Sequence, residues 1–142
     1  MEDRIKELRK EKWYDVQFTI EALAVEKHIV ENALKTHVDK MGKIKEVFVY
    51  DTKFLDTIKT HKPMKDVEYA YSQVVKVKFF VKDLAALLQI VMVYGPSSVE
   101  ILGPGKKEID ISEAQQLSNI VAGMVHQFVA AGAGGIVITP DK

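Results

Sequence analysis

The side chains able to do acid–base or ligand chemistry are few. His28, His37, His61 and His126 are the four histidines. None stands in HExxH or another tight ligand spacing, so no metal site is expected. His37 falls on the apolar stripe of a helical segment, where a histidine hydrogen-bonded to a neighbour is the ordinary outcome. With a carboxylate beside it in a cleft, His37 or His126 would serve as a general base, and a small enzyme of that kind is one expectation. There is no cysteine, which removes disulfides, thiolate nucleophiles and sulfur-ligated metals. Ser97 and Ser98 lack a GxSxG elbow around them. No cofactor is expected.

Two further groups of residues could bind. Lys76 and Lys78, with Phe80, alternate along one strand and share a face. An open sheet face of that kind stacks bases in RNA-recognition motifs, but the RNP1 glycine–aromatic pattern is missing from VVKVKFFV. Lys plus Arg and Asp plus Glu number 20 each, so the electrostatic footprint of a nucleic-acid binder is withheld. Nucleic acid is therefore not the expected partner. Gly132, Gly134 and Gly135 could form an anion-holding nest of backbone N–H groups, although they follow a helix C-terminus, whose dipole opposes anions.

The elements that must position these groups read clearly. Hydrophobic residues are 47% and charged residues 28% of 142, as expected for one soluble globular domain over 1–142. Met1 to Lys12 reads as a short leading helix within a segment 1–15. Val16, Phe18 and Ile20 alternate with polar residues as a strand. Val25 to Met41 carries a broad apolar stripe, and Gly42 follows it as a helix stop. Ile44 to Lys53 is a second strand, Phe54 to Thr60 a single helical turn, and Val67 to Val81 a long strand. Asp83 caps a helix over Leu84 to Tyr94. Ser97 to Leu102 is a short strand, and Gly103-Pro104-Gly105 a turn. Ser112, with Gln115 three residues on, starts a C-terminal helix over 112–131. Ile136 to Ile138 adds an edge strand.

The stretch VYGPSSVEILGPG is glycine-rich without being a phosphate loop. Gly95 and Pro96 end a helix there, whereas a phosphate loop opens one. The order strand, helix, strand, strand, helix, strand over 16–102 predicts an α+β ferredoxin-like βαββαβ plait. It would have an antiparallel sheet and extra N-terminal and C-terminal helices. Within it, Leu87 to Pro104 resembles the helix–Gly–strand–Pro ending of the C-terminal extension that accompanies WYL domains in bacterial regulators. Gly95, Val99, Glu100 and Pro104 carry that likeness. The plait as a whole resembles ACT-type amino-acid-sensing modules. Both resemblances imply a ligand-sensing role.

LAALLQIVMVY has almost no polar face. A helix apolar all round needs cover on more than one side. Either the C-terminal helix or a second copy would supply it, with Leu84, Leu88 and Val91 at the contact. The expectation is a non-catalytic ligand-binding or regulatory assembly module, a homo-oligomer taking a small molecule. A charged N-terminus and no long apolar run point to a cytoplasmic protein without a membrane partner. Scarce Asn, no Cys and abundant charge suit a thermophile.

Overall fold

The structure is a computed structural model and describes residues 1–132, without the side chains of 62–64. These fall into two compact units, Met1–Lys107 and a second that begins at Glu108. The first contains α1 (Glu2–Lys10), β1 (Tyr14–Ala24), α2 (Lys27–Gly42), β2 (Val47–Phe54), β3 (Ile58–Met64), β4 (Val67–Val81), α3 (Leu84–Tyr94) and β5 (Ser98–Gly103). The second holds α4 (Ile111–Ala130). The protein is thus α+β, with a five-stranded antiparallel sheet among the described residues.

The strand order is β2-β4-β1-β5, and β3 also pairs with β4. β4 is antiparallel to both β1 and β2, so β1 and β2 run parallel with β4 inserted between them. By the same logic β4 and β5 run parallel with β1 between them. Each parallel pair is joined through a helix, α2 or α3.

Alternation along the central strands sends Val16, Phe18 and Ile20 of β1 and Val75, Val77 and Phe79 of β4 to one face. Val30, Leu34, Val38 and Met41 recur at helical spacing and are the buried residues of α2. Leu34, Val38 and Met41 join the sheet residues in one core, with Leu87 and Ile90 of α3. Phe18 and Phe79 meet edge to face at 4.7 Å. Removing each such side chain from water stabilises the fold by about 1.5–3 kcal/mol.

Gly95 ends α3 in the left-handed region, at φ 53°, and its N–H donates to the Val91 carbonyl at 2.9 Å. That conformation suits glycine and closes the helix. The reading of VYGPSSVEILGPG as punctuation therefore fits the observed element boundaries.

Three local expectations are corrected. Phe54 to Thr60 is no helical turn: β2 runs to Phe54 and β3 starts at Ile58. The Leu55 N–H donates to the Val74 carbonyl, and the Gln73 side-chain amide donates to the Leu55 carbonyl. Both backbone groups at the break are thus held to β4, and the chain continues along it. The start of α4 is capped by Asp110, not Ser112. The Asp110 carboxylate accepts from the Glu113 N–H and from the Ser112 hydroxyl, each at 2.9 Å. These bonds, the first above all, hold its carboxyl below the usual range. The second strand begins at Val47, not Ile44. The expected strand at Ile136 to Ile138 lies outside the described residues.

Candidate functional site

On the face of the sheet away from α2, the register builds polar rows. Gln17 stands opposite Lys78 and Glu100, and Asp51 opposite Lys78. Thr19 stands opposite Lys76 and Ser98, and Lys53 opposite Lys76. Lys76 therefore faces neutral Thr19 and basic Lys53, and Lys78 faces neutral Gln17 and acidic Asp51. Phe80 belongs to the same side but is 0% exposed, so it offers no ring to an incoming base.

What covers this end is α1. Leu8 is its one buried residue, and the Arg9 guanidinium lies 5.9 Å over the Phe80 ring. The Tyr50 ring tilts against Phe80 at 5.1 Å. The register of β2 against β4 shifts between Val49 and Asp51, at Tyr50. The Tyr50 hydroxyl donates to Asp15 Oδ1 at 2.7 Å. Arg9 Nη2 stands 4.0 Å from the other oxygen, Oδ2. Arg9, Trp13, Asp15, Phe80, Leu102, Gly103 and Pro104 line a cleft of about 370 Å³.

The Tyr50 phenol is held well above its ordinary pKa. Burial is the main cause, followed by the hydrogen bond to Asp15 and the negative charge of Asp15; Arg9 opposes the shift. A folded-state pKa above the unfolded one means this contribution to stability is complete below about pH 10 and is lost as pH rises beyond it. The stability difference between wild type and Tyr50→Phe should therefore shrink above about pH 10, which urea denaturation at pH 8 and pH 10.5 would measure. A difference that grew with pH would contradict a phenol bonded to a carboxylate.

The other residues singled out from the sequence lie elsewhere. His37 Nε2 is 3.0 Å from the Tyr94 carbonyl, and its ring meets the Tyr94 ring edge to face at 4.7 Å. The partner it finds is a backbone oxygen, and this bond ties α2 to the end of α3. His126 is exposed on α4. His28 pairs with Glu26 at 3.3 Å on the surface. No group of three or more His, Asp or Glu among the described residues could hold a metal ion. Gly132 has a φ of +73°, while Gly134 and Gly135 lie outside the described residues. Leu84 and Val91 pack at the margin of the core and Leu88 is half-buried, whereas Val93 is 70% exposed. No helix among the described residues is long and apolar enough to cross a membrane.

Arg9, Trp13, Asp15 and Tyr50 were not singled out from sequence. Asp15 and Tyr50 are 35 residues apart and meet only because β1 and β2 flank β4. The one available signal was Trp13, an aromatic residue directly after a charged run.

By its fold the chain is a small α+β protein whose antiparallel sheet carries α2 and α3 on one face and α1 at one end of the other. The model of the MJ0538 family matches residues 15–138, and the chain belongs to that family. No curated protein and no solved structure matches it.

Proposed function

We propose that the protein is a non-catalytic small-molecule-binding module on a ferredoxin-like plait, working as a homo-oligomer. The two split parallel pairs, β1 with β2 and β4 with β5, support the plait, with β3 as an extension of its second strand. On that architecture the module is kin in shape to ACT-type and WYL-associated sensing domains. The observation that carries the ligand reading is the cleft under α1. It combines apolar walls with one cation and one anion, and its volume is that of a small-ligand site.

A non-catalytic role is supported by the partners of the candidate bases. His37 is engaged with a backbone carbonyl, and His126 lies exposed on α4. Neither forms a base paired with a nucleophile. Assembly is supported by α3, where Met92 and Val93 are exposed on a helix whose own sequence carries no charged residue. The zero formal charge means that copies do not repel in bulk.

Native mass spectrometry of freshly purified protein tests both halves. A defined multiple of the chain mass, with an added small mass, is the expected result. A bare monomer whose Trp13 fluorescence stays unmoved by a metabolite panel would overturn the proposal.

A further inference from the structure

We infer that the cleft takes a zwitterion with an apolar tail, a free α-amino acid, its carboxylate on Arg9 and its ammonium on Asp15. This rests on the reading of the cleft as a ligand seat and names what sits there. The two charges of the cleft are close without being closed on each other. Arg9 Nη2 and Asp15 Oδ2 stand at 4.0 Å, beyond hydrogen-bond reach. Arg9 is 63% exposed, so its guanidinium is open to water and within reach of an incoming carboxylate.

Each charge is also held in place by a group other than its opposite. The Tyr50 hydroxyl fixes Asp15 through Oδ1. The Phe80 ring carries the Arg9 guanidinium. Asp15 is only 14% exposed, so its charge reaches a ligand with little screening. The Arg9 fork matches a carboxylate in two parallel hydrogen bonds.

The pairing of signs selects the ligand class. A phosphate or a dicarboxylate near Arg9 would be repelled by Asp15. A simple amine near Asp15 would be repelled by Arg9. A molecule carrying both signs a few ångströms apart satisfies both. Its remaining part meets Trp13, Leu102 and Pro104, which favours an apolar side chain over a charged one.

Trp13 is the chain's single tryptophan and lies in the wall, so its indole signal reports this cleft alone. The experiment titrates the full chain with L-phenylalanine, phenethylamine and 3-phenylpropionate, following the indole N–H resonance. L-Phenylalanine should bind at least tenfold more tightly than either half-charged analogue. Arg9→Gln should remove that advantage over phenethylamine, and Asp15→Asn the advantage over 3-phenylpropionate. If either analogue binds the wild type as well as L-phenylalanine does, the zwitterion is wrong and the cleft remains a ligand seat. If none of the three moves the resonance, the amino-acid ligand is wrong, and the metabolite panel decides whether the cleft is a ligand seat at all. The wild-type series decides between these outcomes even if a variant fails to fold.

Discussion

Phe80→Ala should lower the unfolding free energy by about 3–5 kcal/mol, as much as Phe79→Ala. The two rings are neighbours in β4 and point to opposite faces, yet both are completely buried. Phe79 sits in the main core under α2 and α3, against Phe18. Phe80 has no place in that core. Its burial comes from Arg9 of α1 above it, Tyr50 of β2 beside it and the cleft residues around it. Truncation there removes the ring's own transfer energy and leaves a space that the rigid sheet cannot collapse into. Lys76→Ala, one exposed position along the same face, should change stability by no more than about 0.5 kcal/mol. Urea denaturation of the three variants measures this directly. A loss at Phe80 no larger than at Lys76 would mean that α1 leaves this end of the sheet bare. The cleft would then lose its roof and its ligand reading together.

That burial also marks where sequence reasoning reaches its limit. Alternation over 74–80 assigns Phe80 to the same face as Lys76 and Lys78, and the register agrees. Alternation cannot report that a helix from the N-terminus returns over one end of that face. In EDRIKELRK only Ile5 and Leu8 are apolar, and two residues make too narrow a stripe to declare a packing face. The main core was legible for the opposite reason. Val16, Phe18 and Ile20 repeat every second residue, and α2 shows the helical repeat over four turns. β3 escaped notice because its residues, Ile58, Thr60 and His61 among them, alternate weakly and their pairing with β4 is set by tertiary contact. The same holds for the cleft. Arg9, Asp15 and Tyr50 are ordinary surface types, and only the sheet register joins them.

The largest separation of effects should come from two valines in α3. Val91→Glu should cost about 2–4 kcal/mol of stability, while Val93→Glu should leave the fold intact and dissociate the proposed oligomer. Val91 packs against the core, so a glutamate there gives up the apolar contact and also brings a charge toward a dry interior. Val93 is 70% exposed, and a glutamate there meets water in the isolated chain, with a change within about 0.5 kcal/mol. In an assembly that covers the outer side of α3, the same glutamate would be buried twice across a two-fold axis, once from each copy. Each copy would then hold an unpaired charge in an apolar contact, and association should weaken at least tenfold. Leu84 and Val91, expected from sequence at the contact, are partly buried against the core, while Leu88 is half-buried and Met92 and Val93 are exposed. Thermal melts and analytical ultracentrifugation of both variants separate the two roles. A Val93→Glu protein that melts with the wild type and keeps its native mass would place the assembly surface elsewhere than α3. A Val91→Glu protein that melts with the wild type would mean that α3 does not seat on the core through that side.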